Sequence, residues 1–127
     1  MCSMLAALVS IAIVDDDPSV LKALERTLRV RGYRVTTYSS ANDFLASASE
    51  ELPECLIIDL QLPGMTGLEL HQHLTSRGIK IPTIMITAFG DVRLRDRSRA
   101  AGIAAVLSKP LQNSALFAAI DEARQNS

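Results

Sequence analysis

The sequence predicts an α/β fold, an open parallel sheet with helices on both faces, and three observations predict it. Short aliphatic runs recur five times, at 8–14, 35–38, 55–60, 83–87 and 104–107. Each is apolar throughout rather than alternating, the pattern of strands buried on both sides. Stretches with helical spacing and capping signals lie between them, so strand and helix alternate along the chain. The 127 residues contain no linker, low-complexity tract or fixed-period repeat, and the five βα units therefore form one domain.

The first run follows a nearly apolar start at residue 4. No basic region precedes it, it falls far short of ~20 residues, and it runs into Asp15-Asp16-Asp17. It reads as a buried strand rather than a secretion signal or membrane span. Asp17 and Pro18 then open a helix, as N-cap carboxylate and first-position proline. Val20, Leu21, Leu24 and Leu28 form its apolar stripe, and Gly32 ends it. Ser40-Ala41-Asn42-Asp43 opens a second helix with Phe44 and Leu45 on its inner face. Thr66-Gly67-Leu68-Glu69 has the form of a capping box, and Leu70 and Leu74 continue that stripe until Gly78. A further helix is expected over 91–101, and a last one over 112–124 with Leu116, Phe117 and Ile120.

Composition narrows the function classes. The 13 Lys+Arg stand against 14 Asp+Glu, a formal net charge of −1. That excludes nucleic-acid or membrane binding by this domain through bulk charge. Hydrophobic residues make up 48% and mean hydropathy is +0.19, so a sizeable core is expected rather than disorder. Aromatics are 4% with no Trp, which argues against a stacking platform for single strands or sugars. Cys2 and Cys55 form no spaced framework, and a reducing cytoplasm is the expected setting.

In open parallel sheets, sites form beyond the carboxyl ends of the strands. Here the first strand delivers Asp15, Asp16 and Asp17, the third Asp59, the fourth Thr87, and the fifth is followed by Ser108-Lys109-Pro110. Singly, each has an ordinary reading: a helix cap, a turn, a packed strand residue, a surface lysine. Together they bring carboxylates, a hydroxyl and an ammonium to one rim. Carboxylates crowded together stay ionised most easily around a cation. Oxygen ligands without paired His or Cys favour Mg2+. An aspartate beside Mg2+ and a lysine can accept a phosphoryl group, because both cations neutralise its oxygens.

Ile13-Val14-Asp15-Asp16-Asp17, Ile58-Asp59-Leu60-Gln61-Leu62-Pro63-Gly64-Met65-Thr66-Gly67, Ile86-Thr87-Ala88 and Lys109-Pro110 resemble, in order, the receiver domain of bacterial two-component response regulators, the CheY-like superfamily. The resemblance covers about residues 8–124 and implies a (βα)5 flavodoxin-like three-layer sandwich of strand order 2-1-3-4-5. It also implies roles. Asp59 would take a phosphoryl group from a sensor histidine kinase. Asp15, Asp16, Asp59 and the backbone carbonyl of Gln61 would hold Mg2+. Lys109 would contact the phosphoryl group and Thr87 would move towards it, with small Ala88 leaving room. The Lys109-Pro110 bond is cis in the family. Asp17 would be a cap and not a ligand. Such a domain is cytoplasmic, is no turnover enzyme on an external substrate, and regulates transcription through an output domain.

Two features depart from the family pattern. Val106 stands where receivers usually carry Tyr or Phe, and Leu111 where Phe is frequent. The segment 91–101 has no clean apolar stripe and holds Arg93, Arg95, Arg97 and Arg99, like-charge pairs at four-residue spacing. Either it is short or loosely packed and its arginines meet a partner, or their stems cover the sheet. A homodimer or output domain would then use the face made by this segment, the fifth strand and the last helix. His71 and His73 lie two apart and share no helix face, so they are surface residues rather than chelators. Cys55 begins a buried strand and is expected in the core.

Two other functions remain open. Asp15-Asp16-Asp17-Pro18-Ser19 is similar to the opening motif of haloacid-dehalogenase-like phosphatases, although no acidic metal motif follows Lys109 and Asp59 would have no task. A pseudo-receiver that binds partners without phosphorylation is the other, with Val106 its one support.

Overall fold

The computed structural model describes residues 9–47, 52–87, 96–97, 99–109 and 111–125. Its elements are β1 (Ser10–Val14), α1 (Pro18–Val30), β2 (Arg34–Tyr38), α2 (Ala41–Ser47), β3 (Cys55–Asp59), α3 (Gly67–Ser76), β4 (Thr83–Thr87), β5 (Ala105–Ser108) and α4 (Asn113–Gln125). The strands form one parallel sheet in the order β2-β1-β3-β4-β5, which is the expected flavodoxin-like topology.

Strand pleating divides the core in two. Ile11 and Ile13 of β1, Cys55 and Ile57 of β3, and Ile84 and Ile86 of β4 face Leu24 and Leu28 of α1 and Leu116 and Ile120 of α4. The residues that alternate with them, Ala12, Val14, Leu56, Ile58 and Met85, face Phe44 of α2 and Leu70 and Leu74 of α3. Side chains of a strand alternate in direction, so apolar runs without alternation need a layer of helices on each side. Three layers follow.

The caps are where the sequence places them. Asp17 accepts from the Ser19 amide at the start of α1, with Pro18 in its first turn. Thr66 and Glu69 form the full capping box of α3. Val20 and Leu21 are half-buried, and Leu24 and Leu28 are buried. Gly32 and Gly78 follow α1 and α3 in left-handed backbone, with φ 97° and 77°.

Several boundaries differ from expectation by a residue or two. β1 starts at Ser10 and β3 stops at Asp59, although the Leu60 amide still donates to the Ile86 carbonyl at 2.8 Å. The last strand is Ala105–Ser108 rather than 104–107, and α4 is Asn113–Gln125. In the expected 91–101 helix, residues 96, 97, 99 and 100 are helical, and Arg97 and Arg99 are exposed. Arg93 and Arg95, like Leu8, Ala88 and Pro110, lie outside the described residues, and with Pro110 the expected cis bond. Among the described residues no helix is long and apolar enough to cross a membrane.

Candidate functional site

The strand order reverses between β1 and β3. Their following loops leave towards opposite faces and open a crevice at the carboxyl edge. Asp15 and Asp59 sit there, 1% and 6% exposed. Asp16 is exposed beside them. One carboxylate oxygen from each of Asp15, Asp16 and Asp59 falls within 4.8 Å of the others.

The two buried carboxylates are held by the same local device. Asp15 Oδ1 accepts the Asp17 amide at 2.9 Å, and Asp59 Oδ1 accepts the Gln61 amide at 3.0 Å. Each fixes its own loop by bonding two residues ahead. That leaves both Oδ2 atoms free to face the crevice. Lys109 enters from β5, where its amide donates to the Thr87 carbonyl at 2.8 Å. Its Nζ donates to Asp59 Oδ2 at 3.1 Å and lies 3.8 Å from Asp15 Oδ2. Asp15 Oδ2 is buried and accepts no hydrogen bond.

The electrostatics follow from this arrangement. Burial pushes the Asp15 pKa up; the Asp17 amide and Lys109 pull it down, Asp59 adds to the rise, and the net shift is upward. Burial works against the Lys109 ammonium, but the hydrogen bond and charge of Asp59, with Asp15 and Asp17, outweigh it and raise its pKa. One lysine thus faces two buried carboxylates, which leaves negative charge uncompensated. A buried carboxylate oxygen without a hydrogen bond, next to two other carboxylates, fits a small hard cation such as Mg2+.

Of the residues singled out in the sequence, Asp15, Asp16, Asp59 and Lys109 come together, and the contact of Gln61 with them is its amide, which donates to Asp59 Oδ1. Thr87 is buried on the next strand, in register with Ser108. Val106 is half-buried against the core beside Met85. Asp17 caps α1. Cys55 is fully buried, and burial pushes its thiol up to about 12. His73 is exposed, but His71 is half-buried with its Nδ1 enclosed and without a hydrogen-bond partner, and burial lowers its pKa. Helical spacing separates the two histidines; it does not show that His71 leans inward. The sequence also gave no sign of how closely Gly67 approaches Asp59. A Cβ at residue 67 would lie 2.5 Å from the Asp59 carbonyl oxygen.

Sheet order defines a flavodoxin-like α/β domain, and the acidic crevice lies at its topological switch point. Within that class the chain belongs to the response regulator receiver domain family, whose model matches residues 11–121, a family of signalling domains. It is 38% identical over 110 residues to the response regulator protein TmoT of Ectopseudomonas mendocina, covering 87% of this chain and 50% of TmoT. It is 35% identical over 117 residues to the transcriptional regulatory protein FixJ of Rhizobium meliloti (strain 1021), covering 92% of this chain and 57% of FixJ. The crystal structure of FixJ-N is similar with a TM-score of 0.87 at 34% identity, covering 94% of this chain and 95% of that one. The chain spans about half the length of the curated relatives it matches.

Proposed function

We propose that this chain is a single phosphoacceptor receiver domain over 1–127, with its core at about 8–124, and that Asp59 is the residue phosphorylated. The observation that carries the reading is Lys109 Nζ 3.1 Å from Asp59 Oδ2, inside the carboxylate cluster of Asp15, Asp16 and Asp59. An Asp59 oxygen attacks the phosphorus of a sensor histidine kinase's phosphohistidine. The P–N bond breaks, the imidazole leaves with its electron pair, and an acyl phosphate forms. Lys109 holds the charge of the phosphoryl oxygens. Thr87, one strand away, moves towards them and biases the equilibrium of the distal face. Asp15, Asp16, Asp59 and the Gln61 carbonyl would hold Mg2+, which when bound neutralises the incoming oxygens. Hydrolysis of the acyl phosphate resets the domain, so it turns over no external substrate.

Output through a further domain that regulates transcription is part of this reading, supported by relatives described as transcriptional regulatory proteins. So is a cytoplasmic location. A homodimer or output contact would use the face of 91–101, β5 and α4, where Arg97 and Arg99 are exposed.

Acetyl phosphate with Mg2+ tests the reading. Mass spectrometry should find one phosphoryl group, absent in Asp59→Asn and retained in Asp17→Asn. Modification of Asp15 instead would support a phosphatase-like site, and no modification a pseudo-receiver.

A further inference from the structure

We infer that Gly67 is a positioning residue for Asp59, its missing side chain being what lets the first turn of α3 seat the phosphoacceptor's main chain. The inference rests on the reading of Asp59 and its Mg2+ cluster given above. A Cβ at residue 67 would stand 2.5 Å from the Asp59 carbonyl oxygen, 2.7 Å from Met85 Sδ and 2.9 Å from Ile58 Cγ2. Real Cβ atoms do not approach other atoms so closely, so something must shift.

What can shift is limited. The thioether of Met85 is flexible and could turn aside. The Asp59 carbonyl cannot move alone, because it shares a rigid peptide plane with the Leu60 amide, which donates to Ile86 at 2.8 Å. Tilting that plane strains this bond and rotates the backbone that carries the Asp59 carboxylate. Its two oxygens are already engaged, with the Gln61 amide at 3.0 Å and Lys109 Nζ at 3.1 Å. Nor can α3 back away freely. The Gly67 amide donates to the Leu60 carbonyl at 2.8 Å, the Thr66–Glu69 capping box closes the turn, and Leu70 is fully buried below it. A methyl group at 67 therefore displaces the carboxylate cluster, and small displacements of reacting groups cost large factors.

The test compares the wild-type chain with Gly67→Ala, and with Leu74→Ala, which opens a core cavity under the same helix. Mg2+ binding is measured by calorimetry well below the melting temperature, and the Gln61 amide is followed by NMR. Gly67→Ala should bind Mg2+ about tenfold more weakly or worse, with the Gln61 resonance shifted in the metal-free protein. Leu74→Ala should lose stability and keep wild-type affinity. Should Gly67→Ala fail to fold, Gly67→Ala with Met85→Ala removes the sulfur overlap and keeps the carbonyl overlap, and the same loss is expected. Wild-type affinity and an unmoved Gln61 amide in a folded alanine variant would overturn the inference. Absence of Mg2+ binding by the wild-type chain would overturn the reading of the site instead, and the metal-free Gln61 shift would still decide the role of Gly67.

Discussion

Lys109 Nζ lies 3.1 Å from Asp59 Oδ2 and 3.8 Å from Asp15 Oδ2, so one ammonium joins carboxylates delivered by two neighbouring strands. Fifty residues separate Lys109 from Asp59. Only the sheet order, with β3 and β4 between β1 and β5, lets a side chain from the far strand reach the crevice.

Removing that ammonium should expose the repulsion it suppresses. Lys109→Ala leaves Asp15 and Asp59 buried and facing each other, a loss of about 1–3 kcal/mol for unsatisfied buried acceptors. The figure stays within that range because the lysine side chain is 31% exposed. Saturating Mg2+ should restore more stability to the variant than to the wild type, since the cation takes over the compensation. Urea unfolding with and without Mg2+ measures both. Equal Mg2+ stabilisation of the two proteins would contradict the account.

The start of α3 offers a second measurement. Thr66→Ala removes the hydroxyl that accepts the Glu69 amide at 3.1 Å, and should cost about 1 kcal/mol. Thr66→Ser keeps the oxygen and should stay close to wild type, as should Glu69→Gln, whose amide oxygen can still accept from Thr66. Equilibrium unfolding of the three variants ranks them.

Cys55 predicts a pH dependence with a definite sign. Burial holds its thiol at about 12 in the folded chain against an ordinary value of 9.0. The folded state therefore keeps its proton where the unfolded state loses it. Stability from this group is complete below pH 9 and drains away as pH rises towards 12. Between pH 9 and 10 the loss should be about 1 kcal/mol, before Tyr33 and Lys109, both shifted up, contribute. In a Cys2→Ser background, Cys55→Ala should flatten the stability curve across that interval. The Cys55 thiol should also resist alkylation at pH 8 until the chain is unfolded.

The sequence by itself determined the layered α/β fold, the caps of α1 and α3, and the four positions whose side chains meet in the crevice. It could do so because these are local signals. Apolar runs declare strands buried on both faces, Asp17-Pro18 and Thr66-Gly67-Leu68-Glu69 declare helix starts, and strand ends in a parallel sheet share one edge. Strand boundaries were less legible, because the ladder that ends β3 at Asp59 depends on where β4 lies beside it.

Tertiary structure alone decided what distance and burial decide. It set which oxygen of each carboxylate faces Lys109, left Asp15 Oδ2 buried without a hydrogen bond, turned His71 inward, and pressed Gly67 against the Asp59 carbonyl. Sequence spacing fixes direction along a helix or strand. The overlap that a Cβ at residue 67 would make with the Asp59 carbonyl oxygen, 2.5 Å away, arises from how α3 and β3 pack, and no local pattern encodes it.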